Sequence, residues 1–309
     1  MADRISVGVV QGKAVLTLGE SIKRSGTVWA AMVALAAGLV FAAYWHSFTD
    51  IYFGSTAPES LYSHALFIPA ISLFFVWRQR ALLGRAPLVP SPLLGYPLLL
   101  AGCFMLLLGD FLGFMTFVHM SLLPVVFGLC FLMLGRPVTV LIWFPLAFLF
   151  FMLPMPYSLI SVISFKSKML ATESAVQLGQ LLTLNLVQDG SFVYLGSDDR
   201  LMVGDVCGGM RSLIALLAFG ALMAYISKTR GWARIFILII SPAVAIAANV
   251  ARIFFLCVVG YFWGSDAATG IVHDASGIGI FAFAFVLLFT AEGLLRKFAP
   301  AVEPAEDKA

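Results

Sequence analysis

The chain has 309 residues, of which 61% are hydrophobic and 11% charged, with a formal net charge of +3 and a mean hydropathy of +1.00. A soluble globular domain is nearer half apolar and a quarter charged, so this composition excludes one and requires a polytopic membrane protein. The small net charge says nothing of partners, because in a membrane protein the placement of charges carries the information.

Residues 1–26 are mixed polar, with Arg4, Lys13, Lys23 and Arg24, and read as a cytoplasmic segment. The apolar run after them is too long for the core of a cleaved signal peptide and reads as a retained helix. Apolar runs then recur at 27–45, 62–77, 92–109, 113–134, 138–155, 209–227, 235–262 and 271–295. This pattern predicts an all-α membrane protein of about eight transmembrane helices. Basic residues cluster before the first run, between the second and third (Arg78, Arg80, Arg85), between the fourth and fifth (Arg136), between the sixth and seventh (Lys228, Arg230, Arg234), and after the eighth (Arg296, Lys297). The alternate connections carry Asp50, Glu59, Asp110, Asp189, Asp198, Asp199, Asp205 and Asp266. The positive-inside rule then puts both termini in the cytoplasm.

Residues 157–206 form a long extracytoplasmic insertion in this topology. Tyr157 to Leu186 has Lys166, Lys168 and Glu173 among apolar residues at helical spacing, as in an amphipathic helix lying on the membrane. Residues 189–203 read as two short strands around a turn, a β-hairpin that leads directly to Cys207. Residues 296–309 form a short cytoplasmic tail. With no internal repeat or low-complexity segment, residues 1–309 read as one integral-membrane domain.

Of the four cysteines, Cys103, Cys130 and Cys257 lie inside apolar runs, where cysteine packs as a small hydrophobe. No spacing matches a zinc or CxxC pattern, and no disulfide framework is indicated. Cys207 differs. It stands in Gly204-Asp205-Val206-Cys207-Gly208-Gly209-Met210-Arg211-Ser212, a polar, glycine-rich approach to an apolar run. A packing cysteine does not need polar neighbours, whereas a nucleophilic one gains from nearby cations that favour the thiolate.

The topology brings two more residues to the same side. His273 opens the last run on the outer side. Arg252 falls about 25 Å along the seventh run at 1.5 Å per residue, in its outer half. Arg252 can stabilise a thiolate or the oxyanion of an acyl intermediate, or belong to a structural ion pair with Asp205. His273 has the chemistry for acid–base work near neutral pH, or is an interfacial polar residue. The backbone at Gly208 and Gly209 allows close approach, and N–H groups at a helix start can hold an oxyanion. Asn249, three residues before Arg252, orients it, binds substrate backbone, or packs between helices. Arg211 binds a carboxylate or a lipid phosphate, or anchors the interface. Tyr62-Ser63-His64 reads first as an interfacial aromatic belt and second as support for the site. His46 and His119 are assigned nothing. HExxH, GxSxG, Walker and nucleic-acid signatures are lacking, so no metal, cofactor or nucleic-acid partner is expected.

The order Cys-Gly-Gly-Met-Arg-Ser (207–212), Asn-Val-Ala-Arg (249–252) and His-Asp-Ala-Ser-Gly (273–277) resembles the exosortase/archaeosortase family. Tyr62-Ser63-His64, Trp143-Phe144-Pro145-Leu146 and Phe151-Met152-Leu153-Pro154 extend the resemblance over nearly the whole chain. The resemblance implies a polytopic cysteine peptidase/transpeptidase of the bacterial inner membrane, with Cys207, Arg252 and His273 catalytic. Histidine in the third place is similar to the bacterial branch. Asn249, Arg211, Asp205, Gly208, Ser212, Tyr62 and His64 are supporting candidates. It also implies partners: membrane lipids, and exported proteins with a C-terminal sorting tail (a motif such as Pro-Glu-Pro, a membrane helix, a basic cluster). The acceptor is left open. Gly208-Gly209 replaces the Ser-Gly frequent after the family's cysteine, and Asp205 stands where glutamate is common. Two readings of another class fit the composition: a transporter with Arg252 and Asp205 lining a solute path, and a non-catalytic assembly factor for exopolysaccharide export. No paired inverted repeat supports the first.

Overall fold

The computed structural model describes residues 17–57, 60–196, 199–204 and 209–299. Asp205, Cys207 and Gly208 lie outside the described residues, as do most of the expected N-terminal segment and the end of the tail. The described chain is mostly helical, with one small sheet, and divides after Met155 into two compact units.

The first unit opens with α1 (Leu18–Ala43) and α2 (Trp45–Thr56). α1 starts well before the apolar run. Thr17 accepts from the Glu20 amide while the Glu20 carboxylate accepts from the Thr17 amide, a reciprocal cap that fixes the start. The two helices bend by 64° at Tyr44. Ser121 Oγ donates to the Val118 carbonyl at 2.6 Å, so the Tyr44 hydroxyl is the donor in its 2.7 Å bond to Ser121. That bond pins the bend to a later helix.

Then follow α3 (Phe67–Arg78), α4 (Arg80–Arg85), α5 (Pro92–Leu112) and α6 (Met115–Met133). α5 and α6 form a tight hairpin. Gly95, Gly102 and Gly109, seven residues apart, face α6. A Cβ on Gly102 would stand 2.8 Å from the Val125 backbone nitrogen, and one on Gly109 2.9 Å from that of Val118. Small residues let helix backbones approach this closely in a membrane, where no hydrophobic effect draws helices together.

The fifth apolar run is one span in sequence but two helices in the structure, α7 (Gly135–Leu141) and α8 (Trp143–Phe148), followed by a 3-10 turn at Leu149–Met152. They bend by 63°. Pro145 supplies no N–H, and its ring crowds the carbonyl four residues earlier, at Leu141, which is where α7 stops.

The second unit contains α9 (Tyr157–Leu181), strands β1 (Leu186–Asp189), β2 (Phe192–Leu195) and β3 (Asp199–Met202), then α10 (Met210–Ile226), α11 (Gly231–Trp263), α12 (Ser265–Ala268) and α13 (Ile271–Phe298). One expectation is corrected here. The helix from Tyr157 stops at Leu181, with Thr183 at φ 63°, so Leu186 belongs to a strand. The hairpin expected within residues 189–203 is formed by β2 and β3, and β1 adds a third strand ahead of it, in antiparallel order β1-β2-β3. Register pairs Asp189 with Phe192 across a two-residue turn, and Val193 with Leu201. Alternation places Leu186, Val193, Leu195 and Leu201 inward, against Ala171 and Ala175 of α9 and Ile253 and Leu256 of α11.

α11 is the shared wall of this unit. Toward its C-terminal end it packs on the sheet. Toward its start, Ile237, Val244 and Ala248 pack with Leu216 and Met223 of α10 and Ile280, Ala284 and Leu288 of α13. Where α10 ends, Ser227 Oγ donates to Glu292 Oε1 of α13 at 2.8 Å, and the Arg230 amide to the Ala299 carbonyl. Among the described residues, α5, α6, α11 and residues 275–298 of α13 are long and apolar enough to cross a membrane, and up to six spans result if each bent pair counts as one. α3 and α10 are shorter apolar helices. The molecule is a multi-pass membrane protein.

Candidate active site

Arg252 lies on α11 between the two hydrophobic clusters, where an isolated guanidinium would be costly. The first turns of α13 provide its partners. Arg252 Nε donates to Ser276 Oγ at 3.0 Å, and Nη2 donates to the His273 carbonyl at 3.2 Å. Ser276 Oγ donates to the same carbonyl at 2.6 Å. Nη2 also lies 3.3 Å from His273 Nε2. A guanidinium has only donors, so in a hydrogen bond between them Nε2 is the acceptor. Ser276 and Gly277 follow His273 by three and four residues, which puts all three on one helical face. Gly277 packs against the guanidinium: a Cβ there would stand 3.6 Å from Nη2.

The start of α10 closes the other side. Gly209 has φ +71°, and a Cβ on it would stand 2.8 Å from Asn249 Nδ2. Both facts require glycine. Asn249, nearly fully buried, thus packs beneath the residue that opens α10. Ser212 Oγ donates to the Gly209 carbonyl at 2.8 Å and closes the first turn.

Gly209, Arg211, Ser212, Arg252, His273 and Gly277 line one cavity of about 310 Å³. A second cavity of about 510 Å³ is an apolar groove along α11 and α13, lined by Ala248, Ala251, Phe255, Ala275 and Gly279. The two share Arg252 and Ile280. One guanidinium therefore borders both a polar cavity and an apolar groove. Such a set can steady a developing negative charge, move a proton through an imidazole, and hold an apolar chain alongside.

On the side of the sheet, the Ser265 amide donates to Asp199 Oδ2 at 2.6 Å, tying β3 to α12 just before α13 begins. Hydrogen bonds from Ser265 hold the Asp199 carboxyl below the usual carboxylate range, with the Arg200 amide adding to the effect.

The structure brings together Arg252, His273, Arg211 and Ser212 around one cavity, with Asn249 beneath its glycine rim. Tyr62 and His64 do not line it and belong to the first unit. There the Tyr62 hydroxyl accepts from the Met155 amide at 2.9 Å, and the two rings lie 6.3 Å apart. His119 has a partner too, with Nε2 3.6 Å from Asp50 Oδ2 in the first unit. Cys257 is fully buried in the cluster beside the sheet, as a packing cysteine is. The sequence alone suggested no role for Ser276 or Gly277, and for Gly209 only close backbone approach. Spacing from His273 was the available signal for the first two.

The family model for transmembrane exosortases (Exosortase_EpsH) matches residues 55–290. No curated protein and no solved structure matches the chain. The matched stretch covers most of the sequence, from within α2 to within α13, and takes in every helix that contributes to the cavity. The chain belongs to the transmembrane exosortase family.

Proposed function

We propose that this protein is a membrane cysteine peptidase/transpeptidase that cuts exported proteins at a C-terminal sorting tail of the kind motif, membrane helix, basic cluster. The family is generally one of cysteine peptidases and transpeptidases. The observation that carries the reading is the shared position of Arg252 and His273 on a cavity whose rim is Gly209. Cys207 precedes Gly209 by two residues, so its Cα lies within about 8 Å of the Gly209 Cα along the chain.

In this reading the proton of the Cys207 thiol rests on His273 when the sulfur attacks the scissile carbonyl, and the C–O π electrons pass to oxygen. Arg252, backbone amides at the start of α10 and the amide of Gly208 stabilise that oxyanion. The tetrahedral species collapses with loss of the C–N bond, and His273 passes a proton to the leaving amine. The resulting thioester is attacked by water or an acceptor amine, which loses its proton to His273; this second tetrahedral species collapses with loss of the C–S bond, and His273 returns the proton to the sulfur. Asn249 fixes the opening of α10, and Ser212 closes its first turn. The substrate's apolar tail lies in the groove that shares Arg252 with the cavity. Asp205 acts as a supporting residue.

In this reading each bent pair is one span, and the shorter apolar helices α3 and α10 add to the four long ones, which makes the eight spans of the sequence pattern. Both termini then face the cytoplasm of a bacterial inner membrane, and the cavity opens on the extracytoplasmic side. A reporter ending in Pro-Glu-Pro, a membrane helix and a basic cluster tests the reading. Co-expression with this protein should shorten it, and Cys207→Ala at matched membrane level should not. Equal shortening by both would remove Cys207 as the nucleophile.

A further inference from the structure

The cavity has two guanidinium groups on its wall, and the hydrogen bonds around it serve one. Arg252 is held by Ser276 and His273. Arg211, on the first turn of α10, lines the same cavity, and its Nε is shielded from solvent without a hydrogen-bond partner among the described residues. No carboxylate is among the described residues that line the cavity. A shielded guanidinium N–H without an acceptor is unfavourable, and two cations facing one small space repel each other. An anion entering the cavity relieves both costs, and a carboxylate matches the planar donor fork of arginine. The cavity meets the apolar groove at Arg252, so an anion in it belongs naturally to a chain that lies in the groove and is cut beside His273.

We propose that Arg211 is a specificity-determining residue that binds a carboxylate side chain of the substrate next to the bond that is cut. The inference rests on the peptidase/transpeptidase reading. The two arginines then have separate roles. Arg252, braced on α13, meets the charge that develops during reaction, and Arg211 meets a charge the substrate already has.

Binding without turnover tests it. The probes are two peptides, each with a membrane helix and a basic end, one with Pro-Glu-Pro ahead of the helix and the other with Pro-Gln-Pro. The protein is the full chain carrying Cys207→Ala, in detergent micelles. The glutamate peptide should bind about ten- to a hundredfold more tightly, the range of one charge-assisted hydrogen bond or pair. Arg211→Gln should abolish the preference, and Arg211→Lys, which keeps the charge but not the fork, should retain part of it. Size-exclusion profiles matched to the parent identify variants that remain folded. Equal binding of the two peptides, no binding of either, or a preference that survives Arg211→Gln overturns the proposal. Binding of phosphatidylglycerol that depends on Arg211, with no peptide preference, overturns it in favour of a lipid phosphate. A preference that depends on Arg211, in a protein whose Cys207 form does not cut the reporter, supports Arg211 as the carboxylate-binding residue and counts against the peptidase reading instead.

Discussion

Arg252 depends on three acceptors from one turn of α13, and that geometry decides what can replace it. Lysine carries the charge at a single point and cannot reach Ser276 Oγ, the His273 carbonyl and His273 Nε2 with one planar group. Arg252→Lys should therefore lower reporter processing at least about a hundredfold, the loss typical of removing one oxyanion donor. Ser276→Ala should cost less, roughly tenfold in kcat, because Nε loses its acceptor while both Nη2 bonds remain. Single-turnover rates at matched protein levels check both. Gly209 is constrained differently: Gly209→Ala adds a Cβ 2.8 Å from Asn249 Nδ2 at a positive φ, and should destabilise the protein by about 2–4 kcal/mol, read from thermal unfolding in detergent. The sequence made Arg252 and His273 legible because a charge in an apolar run and a histidine at the end of another are conspicuous against hydrocarbon. Ser276 was not conspicuous. A serine three residues into a helical face is ordinary, and only a partner from another helix gives it a role.

Helices and strands follow local chemistry where that chemistry is strong. The α5–α6 hairpin rests on glycines spaced by seven. Gly102→Leu would drive a side chain into the backbone at Val125, and should separate the pair or unfold the unit, with a markedly lower midpoint of thermal unfolding. The groove predicts the opposite behaviour for a similar change. A Cβ on Gly279 meets nothing within 4 Å, so Gly279→Leu should leave the thermal midpoint unchanged while filling the groove and weakening binding of the tail peptide. The sheet has its own test. The Asp199 carboxyl is held below its ordinary range, so its contribution is complete above the unfolded-state value near 4 and is lost as pH falls through the lower folded-state value. Asp199→Asn should thus lower the midpoint at pH 7, and the difference from wild type should vanish on acidification below the usual carboxylate range. Both outcomes can be read from one series of melts. The sequence read most of these elements by apolar length, and it misjudged them where length is uninformative. The break at Leu141 is set by Pro145, four residues on. Strand β1 continued an apolar stretch that had been helical up to Leu181. Residues 186–189 are too few to show a period of their own.

At the scale of the molecule, composition alone fixes a multi-pass membrane protein, and the family match over residues 55–290 fixes the kind. The second unit contains the groove, the cavity and both arginines within α10, α11 and α13, helices that follow closely on one another in the last third of the sequence. Charge placement in the connections made that convergence legible from the sequence, since it set Arg252 and His273 at similar depth. It could not show that Arg211 shares their cavity, which depends on how Gly209, at the opening of α10, packs on Asn249. The central claim is that the chain forms a thioester through Cys207. Its most direct test is mass spectrometry of the purified protein after brief incubation with the reporter. The account predicts an adduct on Cys207, of the mass of the reporter's N-terminal fragment and released by hydroxylamine, which accumulates when the acceptor is withheld. Continued cleavage with Cys207 unmodified, or with the adduct on another residue, would contradict it.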